Sequence, residues 1–311
     1  LSQGKASPSP SLIHRNILHE HHFKQIPATV FGNRTRPFLK IQDGCDTFCT
    51  YCIVPYARGR SRSMPLENVL KHIHCLKQAG FHEVVLTGVH LGAYGLDLSP
   101  QISLTDLLEH IRESNAMDRV RLSSIEPHEL ADDIIKMVSG SDVFCHHFHI
   151  PLQSGDDGIL KKMHRDYTRP FFKDLVHKIK DRIPDAAIGV DTLIGFPGET
   201  ERAFENTYSL IEKLPITYLH VFPFSSRPGT PASKYTQKVP SKIIKARCEK
   251  MRMLGNEKKR IFYEASMGKI VEVLIESKRD KATGLLKGIT SNYIPVHVVG
   301  KDDLFNTPVQ V

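Results

Sequence analysis

The chain has 311 residues, of which 40% are hydrophobic and 24% charged, as in a folded globular protein larger than one average domain. Three features of the sequence argue against a membrane-spanning, a secreted or a disulfide-rich protein. No apolar run approaches the roughly 18 residues of a membrane span, and the N-terminus lacks a signal-peptide pattern. The six cysteines are clustered and not spread as in a disulfide scaffold. A net charge of +8 favours an anionic partner, nucleic acid first, and the cysteine usage indicates a reducing compartment, the cytoplasm.

Residues 1–35 are rich in Ser, Pro, His and Asn and have weak periodicity. This pattern predicts a linker with room for one short helix. Because the chain begins at Leu1 within this linker, we expect that a preceding N-terminal domain is absent from it.

Residues 36–240 alternate between short apolar runs and amphipathic segments. The apolar runs predict strands at 38–41, 83–89, 120–125, 146–152, 187–194 and 218–224. The amphipathic segments between them predict helices at about 65–80, 104–114, 128–138, 170–183 and 199–214. Strands separated by helices pair in parallel through right-handed crossovers, so the fold class is α/β and the architecture a partial parallel (β/α)6 barrel.

The ends of these strands carry small, polar and turn residues. In such a barrel the functional residues cluster at the carboxyl ends of the strands. The candidates at these positions are Thr87, Gly88, Ser124, Glu126, Gln153 and Asp191.

The first strand leads into QDGCDTFCTYC, in which Cys45, Cys49 and Cys52 lie within eight positions. Soft thiolates select zinc, copper or an iron–sulfur cluster. A structural zinc site is normally closed by a fourth Cys or His, whereas a four-iron cluster held by three cysteines keeps one iron open. Zinc completed by a distant histidine, or ordinary buried thiols, remain alternatives on spacing alone.

The C-terminal part differs in pattern from the preceding residues. Residues 241–265 predict a basic helical connector, because 241–260 hold eight Lys or Arg against two Glu, with an apolar face and outward cations that meet solvent or RNA. Residues 266–311 predict strands at 269–275, 284–289, 293–299 and 308–311, a small antiparallel OB-like β-barrel of the kind on which oligonucleotides dock.

Six segments together resemble one enzyme family, and they occur in the family's order from about Arg36 onwards: GCDTFCTYCIVPYARG (44–59), LTGVHLGAYG (86–95), HIPLQSG (149–155), GFPGET (195–200), RPGTPA (227–232) and NYIPV (292–296). The chain resembles the radical S-adenosylmethionine (SAM) methylthiotransferases, whose C-terminal RNA-binding domain is called TRAM. The segment LTGVHLGAYG is similar to the bacterial branch that modifies threonylcarbamoyladenosine at position 37 of tRNA.

This resemblance implies a mechanism and a set of cofactor contacts. A 4Fe-4S cluster on Cys45, Cys49 and Cys52 would reduce bound SAM to a 5′-deoxyadenosyl radical, which the family uses for sulfur insertion and methylation at C2 of the base. The protein orients the cofactor and excludes side reactions. The remaining contacts implied for SAM or substrate are the methionine end at Thr87 and Gly88, the ribose hydroxyls at Glu126 with Ser124, the adenine at the backbone of Tyr51 and Ile53, and further contacts at Gln153 and Asp191.

Arg58, Arg60 and Arg62 follow the cysteine segment at alternate positions. If that segment is extended, the three guanidiniums face the same way and suit RNA phosphates. A solvated rim is the alternative.

The family also has an N-terminal domain with three more cysteines for a second 4Fe-4S cluster, which is expected only in the full-length protein. Cys75, Cys145 and Cys248 have packing contexts instead. We therefore expect this chain to bind one cluster and to cleave SAM without completing sulfur insertion. The expected partners are tRNA and an electron donor such as flavodoxin or ferredoxin, with no membrane.

Three other functions remain open at this point. The nearest are methylthiotransferases that act on isopentenyladenosine in tRNA or on a ribosomal protein. A different class is a noncatalytic RNA-binding protein whose cysteines hold zinc.

Overall fold

The structure, a computed structural model, describes residues 17–24 and 34–311, so most of the predicted linker lies outside the described residues. A single 3-10 turn, Ile17–His19, falls in the first described stretch. The strands, numbered in chain order, are β1 Phe38–Lys40, β2 Gln42–Asp43, β3 Arg62–Ser63, β4 Glu83–Thr87, β5 Arg119–Leu122, β6 His147–His149, β7 Ala187–Ile194, β8 Tyr218–Pro223, β9 Glu272–Arg279, β10 Leu286–Thr290, β11 Pro295–Val298 and β12 Pro308–Gln310. The helices are α1 Val54–Arg58, α2 Leu66–Gln78, α3 Leu104–Ser114, α4 Asp132–Ser139, α5 Asp157–Met163, α6 Arg169–Arg182, α7 Glu201–Lys213 and α8 Ser241–Glu264.

Helix α3 shows how local sequence sets the boundaries of these elements. It begins at a capping box, in which the side chains of Ser103 and Asp106 satisfy each other's backbone N–H groups. It ends at Asn115, whose left-handed backbone (φ 46°) stops the helix. Between these ends the apolar positions recur at helical spacing and bury one face, so the predicted range is also the observed one.

Six strands form two parallel sheets of three, in the orders β1-β4-β5 and β6-β7-β8. Isolated parallel bridges between Val120 and Phe144 and between Ser124 and His149 continue the row from β5 to β6. The predicted α/β class with parallel strands is therefore confirmed. Among the described residues β1 and β8 are edge strands, so the row is open.

The two faces of this row differ in polarity. One face packs against the helices and is apolar; Val84, Leu86, Ile188 and Val190 are fully buried in its core. We call the opposite side the inner face. It carries polar side chains, among them His149 on β6, Asp191 on β7 and His220 on β8, which contact one another. Alternation along each strand separates an apolar core from a polar interior surface.

Some elements differ from the sequence prediction. The segment after the cysteines is the short helix α1, which starts with Val54 and Pro55, and proline is favoured in a first helical turn. Helix α5 was not predicted. The predicted strand at 146–152 is regular only over His147–His149, and the helix expected from residue 128 begins at Asp132 after a 3-10 turn.

The C-terminal residues form a four-stranded antiparallel sheet in the order β11-β10-β9-β12, which we call the C-terminal sheet. This confirms the predicted antiparallel strands, although β9 begins at Glu272 rather than at 269. Helix α8 precedes the sheet and packs along β8 through Cys248 and Met251, which are buried. Arg247 also points inward, to Glu199 at 2.7 Å, so one predicted outward cation is buried.

A buried ion cluster joins the C-terminal sheet to the parallel strands. Glu83 is fully buried between Arg121, at 2.8 Å, and Arg119, at 2.7 Å. Arg121 also donates to the carbonyl oxygens of Thr290 (3.1 Å) and Ser291 (2.8 Å). Burial would raise the pKa of Glu83, but the two guanidiniums hold that pKa below its usual value.

Replacing Glu83 with Ala is expected to destabilise the protein by about 3–5 kcal/mol, because it leaves Arg121 and Arg119 buried without their carboxylate. Urea unfolding under anaerobic conditions measures this. The matched control is Glu109→Ala, which removes an exposed pair with Arg112 on α3 and should cost less than about 1 kcal/mol. Equal losses in both variants would contradict a special role for the buried cluster.

Candidate functional site

The cysteine segment is a tight loop between β2 and α1. Gly44 has φ +79°, and a Cβ there would lie 1.9 Å from the Arg60 carbonyl oxygen, so no other residue fits this turn. The Cys45 N–H donates to the Gly59 carbonyl at 3.1 Å, and the Cys52 N–H to the Cys49 carbonyl at 2.9 Å. Backbone bonds therefore fix the positions from which the three thiols project.

Hydrogen bonds also join this loop to the far side of the strand row. The Thr50 N–H donates to the Met163 carbonyl at 3.0 Å, and its hydroxyl donates to the Lys162 carbonyl at 2.8 Å. The Ala232 N–H, in the loop after β8, donates to the Thr50 carbonyl at 2.9 Å. The loop thus bridges the rim from the first strand to the last.

The three thiols are close enough to affect one another but are not arranged around a single ion. Burial raises the pKa of Cys52, and the neighbouring thiols of Cys49 and Cys45 raise it further. Cysteines around one zinc ion would place their sulfurs roughly 3.8 Å apart. Among the described residues, however, the one group of three potential ligand atoms within 4.8 Å is His149, Asp191 and His220. The three cysteine sulfurs therefore do not all lie within 4.8 Å of one another, so they do not form a preformed zinc site.

His90 lies beside Cys45 at the end of β4. Its Nδ1 is 3.6 Å from the Cys45 sulfur, and its Nε2 is 2.8 Å from Glu129. Burial would lower the pKa of His90, but the bonds to Cys45 and Glu129 raise it to about 10. Burial likewise would raise the pKa of Cys45, yet its bonds with His90 and Thr47 hold it below the usual value. Cys45 is therefore the thiol most readily deprotonated for iron.

Arg165 is the main site residue that sequence reasoning missed. Its side chain is 4% exposed, and its guanidinium forms an ion pair with Glu126 and lies 3.5 Å from the Cys49 sulfur. It comes from the loop between α5 and α6, more than 100 residues after Cys49. No sequence motif indicates such a distant contact, and the burial of Arg165 is visible only in the structure.

The predicted ribose contacts Glu126 and Ser124 lie at the same rim as the cysteines. Glu126 is half-buried and pairs with Arg165 through one oxygen. Ser124 is half-buried at the bridge from β5 to His149 on β6. Both side chains remain close to the loop, and their role toward SAM stays a prediction.

Thr87 and Gly88 end β4 beside the cysteine loop. A Cβ at Gly88 would lie 2.9 Å from the side-chain oxygen of Gln42, which accepts a bond of 2.7 Å from the His90 N–H. Gln42 also donates to the Gly44 carbonyl at 2.8 Å. The small residue at 88 lets this glutamine tie the end of β4 to the loop.

The backbone positions predicted to meet adenine, Tyr51 and Ile53, flank Cys52. The Tyr51 ring packs edge-on to Phe196, with centroids 6.5 Å apart, so its side chain belongs to an apolar cluster. The Ile53 carbonyl accepts from the Ala57 N–H at 3.0 Å inside α1. This oxygen is thus already engaged in the helix.

Gln153 and Asp191 are placed next to each other by β7. The Gln153 N–H donates to the Asp191 carbonyl at 2.8 Å, and Gln153 has a left-handed backbone (φ 58°), a strained conformation often found at functional sites. The Asp191 carboxylate accepts from His149 at 2.8 Å and His220 at 3.2 Å. Burial would raise the pKa of Asp191, but these bonds lower it to about 2.

The predicted triplet of RNA-facing arginines needs a correction. Arg62 is 5% exposed, and its guanidinium donates to the backbone carbonyls of Arg58 (2.8 Å), Arg60 (2.9 Å) and Glu20 (3.2 Å). The intervening residues form α1 and a turn instead of an extended strand, so the side chains do not alternate. Only Arg58 and Arg60 are exposed.

The other three cysteines do not form a second ligand loop. Cys75 is exposed on α2, Cys145 is buried before β6, and Cys248 is buried on α8. These positions belong to separate elements, as their sequence contexts predicted.

Two comparisons with known sequences bear on this site. The model of the Radical SAM superfamily matches residues 39–211, which is more than half of the chain and includes the cysteine loop. The chain belongs to the radical SAM superfamily.

Curated relatives of this radical SAM chain include two kinds of methylthiotransferase. It is 37% identical over 298 residues to the threonylcarbamoyladenosine tRNA methylthiotransferase MtaB of Bacillus subtilis, covering 95% of this chain and 66% of that protein. It is 40% identical over 282 residues to the tRNA-2-methylthio-N(6)-dimethylallyladenosine synthase of Clostridium botulinum strain Loch Maree, covering 90% of this chain and 62% of that protein. The chain spans less than two thirds of the length of these relatives.

Solved structures share the radical SAM fold at low identity. The methyltransferase TsrM of Kitasatospora setae, with cobalamin and a [4Fe-4S] cluster bound, matches with a TM-score of 0.53 at 20% identity, covering 63% of this chain and 38% of that one. The coproporphyrinogen III oxidase HemN of Escherichia coli, described as a radical SAM enzyme, matches at 0.54 and 12% identity, covering 74% and 55%. At these identities the likeness concerns the fold alone.

Membership of the superfamily confirms the predicted cofactors, a 4Fe-4S cluster and SAM. The residues present fit them, because three thiols project from one loop that backbone hydrogen bonds hold in place, and thiolates are suitable ligands for an iron–sulfur cluster. In the described ranges, no helix combines the length and apolarity that crossing a membrane requires.

Anaerobic reconstitution should load about four irons per chain, since a four-iron cluster with one open iron needs three cysteines. Iron and sulfide analysis measures this, and the Cys45, Cys49 and Cys52→Ala triple variant should lose the iron and the brown colour.

The matched control changes the other three thiols, Cys75→Ser with Cys145→Ala and Cys248→Ala, and should keep about four irons. A colourless protein with one zinc, or roughly eight irons in the unchanged chain, would contradict the assignment.

Proposed function

We propose that the chain carries the radical SAM part of a tRNA methylthiotransferase that acts on C2 of threonylcarbamoyladenosine. Two observations support this proposal: MtaB proteins of two bacteria are each 37% identical to the chain, and LTGVHLGAYG at 86–95 is similar to that branch. The chain covers only part of those relatives, so the activity of the whole protein belongs to the proposal.

In this function Cys45, Cys49 and Cys52 hold the cluster, and the open iron is left for SAM. When bound, the cluster supplies one electron that cleaves SAM and yields a carbon radical. The chain's own groups position this chemistry: Arg165 holds Glu126 toward the rim and places a positive charge beside Cys49. Thr87, Gly88, Ser124 and Gln153 complete the rim on which SAM would lie.

In this proposal, residues of the polar inner face determine which substrate binds. His149, Asp191 and His220 form a hydrogen-bonded group there, and His220 is half exposed to an incoming ligand. A threonylcarbamoyl group has a carboxylate, a hydroxyl and a urea that can bond to such residues, whereas an isopentenyl group has only hydrocarbon. A hydrocarbon group would desolvate these charged and polar side chains without offering them a hydrogen bond, which is unfavourable. The inner face therefore supports the threonylcarbamoyl substrate.

A second candidate substrate is isopentenyladenosine, also called dimethylallyladenosine. It is favoured by the 40% identity to the Clostridium botulinum synthase, slightly above the 37% identity to the Bacillus subtilis protein. Identity over a shared fold does not select between them, so a direct test of the modified nucleoside is needed.

We further propose that tRNA is the RNA partner, that a small electron-transfer protein such as flavodoxin or ferredoxin delivers the electron, and that the protein works in the cytoplasm. The support for tRNA is that the curated relatives are named as tRNA-modifying enzymes, together with the net charge of +8.

Deleting the gene for this chain should abolish 2-methylthio-threonylcarbamoyladenosine in cellular tRNA and leave threonylcarbamoyladenosine itself in its place. Mass spectrometry of digested tRNA measures both nucleosides. A gene copy with Cys49→Ala should not restore the methylthio group, whereas a copy with Cys75→Ser should. Loss of the methylthio group from isopentenyladenosine instead would establish the second candidate.

Arg58 and Arg60 are the exposed arginines of the cluster rim, and each has a surface ion pair, with Asp43 at 3.6 Å and with Asp46 at 3.2 Å, that an RNA phosphate would replace. The Arg58→Ala, Arg60→Ala variant should weaken binding of an anticodon stem-loop and reduce the slope of log affinity against log salt by roughly 1.4, about 0.7 for each single-strand phosphate contact. Fluorescence anisotropy at several salt concentrations measures both quantities.

The control is Arg62→Ala, which removes buried bonds to three carbonyl groups and should lower the melting temperature while leaving the salt slope unchanged. An unchanged slope in the double variant would remove the phosphate role of this rim.

A further inference from the structure

Half of the eight cations of helix α8 are engaged by carboxylates or by two carbonyl groups of other elements. Arg247 pairs with Glu199, Lys250 with Glu205, Arg260 with Glu257 and Glu264, and Lys258 donates to two backbone carbonyls. Arg252 and Lys259, like Lys242 and Lys245, are exposed and have no ion pair with any described residue; Arg252 donates only to the Val221 carbonyl at 3.4 Å, and the Lys259 ammonium faces the ring of Tyr263.

These two cations lie on one stripe of α8, two turns apart, with Asn256 between them. The spacing of four and three residues places Arg252, Asn256 and Lys259 on the same side of the helix. Tyr263 continues the stripe by one more turn, and the Lys259 ammonium lies 5.5 Å from the centre of its ring. The stripe is thus cationic, has a free amide and ends in an aromatic ring.

The stripe forms one wall of a cavity of about 450 Å³ at the open edge of β8. Tyr218 and His220 of β8 form the second wall, and Tyr293 and Pro295 of the C-terminal sheet region form the third. The rings of Tyr218 and Tyr293 lie 5.9 Å apart at 31°, and Tyr293 is 37% exposed. Within residues 17–24 and 34–311, no aspartate or glutamate lines this cavity.

The lining selects the chemistry of the ligand. Two lining cations that have no ion pair among the described residues favour an anion, and the aromatic rings favour a flat group that can stack. The volume is within the range of small-ligand sites and accommodates a base with its sugar and phosphate.

We propose that this cavity binds one single-stranded nucleotide of the tRNA, next to the modified adenosine, with its base stacked on Tyr263 and its phosphate between Arg252 and Lys259. The inference rests on the proposed tRNA substrate and adds to it the site that holds the neighbouring nucleotide.

His220 provides the spatial link between this cavity and the inner face. It lines the cavity and also donates to Asp191, which His149 contacts on the inner face. An RNA strand whose target base enters the inner face therefore passes the cavity on its way out along β8.

The test uses the 311-residue chain and an anticodon stem-loop RNA with threonylcarbamoyladenosine, in which 2-aminopurine replaces one flanking base at a time. Stacking on Tyr263 should quench the fluorescence of 2-aminopurine at one flanking position. Tyr263→Leu should abolish that quenching and weaken binding about tenfold, whereas Tyr263→Phe, which keeps the ring, should retain both. Arg252→Ala with Lys259→Ala should lower the salt slope by roughly 0.7, the value for one single-strand phosphate.

Lys71→Ala is the matched charge control, because Lys71 is exposed on α2 and has no ion pair among the described residues; it should change neither quenching nor salt slope. Circular dichroism confirms folding, and the arginine–lysine variant decides alone if Tyr263→Leu does not fold. Wild-type affinity, slope and quenching in both cavity variants would overturn the cavity while leaving the tRNA substrate in place. Failure of the unchanged chain to bind any of the RNAs would overturn both proposals.

Discussion

The backbone bonds of the cysteine loop are the constraint on which the site depends. Gly44 sets the turn, and Thr50 fastens the loop to the carbonyl of Met163 and the N–H of Ala232 on the opposite rim. Three thiols can be presented to a cluster only if their loop is rigid before the metal arrives, since ligand positions must be held within a narrow tolerance. Because the anchors come from α5 and from the segment after β8, the cluster site requires nearly the whole row of strands to be folded.

Strand alternation then separates stability from chemistry. The helix-facing side supplies the apolar core, and the inner face carries charged groups that pair with one another. At one end, Glu83 lies between Arg119 and Arg121, and Arg121 also donates to a carbonyl of the C-terminal sheet. Beyond this ion cluster, Asp191 and its two histidines stay accessible, and Arg165 beside Cys49 forms the top. The polar interior is thus fixed at one end by a structural ion cluster and at the other by the cysteine loop.

Sequence reasoning succeeded where the signal was local. The ranges of β7 and α3 were predicted without error, because strong apolar patterns end at clear caps or turns. It failed where a residue's environment is set by distant parts of the chain. The sequence around Arg62 predicts an exposed cation. In the structure Arg62 is buried, because its guanidinium donates to the carbonyls of Arg58 and Arg60, which the turn after α1 directs toward it. Arg165 reaches Cys49 only through the packing of α5, a helix too short to show periodicity.

The same distinction governs what net charge says about RNA. Residues 241–260 carry an excess of six positive charges, which alone indicates a basic helix facing a polyanion. The structure shows that several of these cations neutralise carboxylates or cap carbonyls of the parallel-strand region, and so hold α8 in place. Among the cations that have no ion pair with a described residue, Arg252 and Lys259 lie in a narrow stripe beside three tyrosines. The geometry of this stripe favours binding of a single strand over a duplex, because stacking requires unpaired bases. A loop nucleotide in an anticodon presents such a base, and the cations that remain unpaired are therefore more informative about the RNA than the total charge.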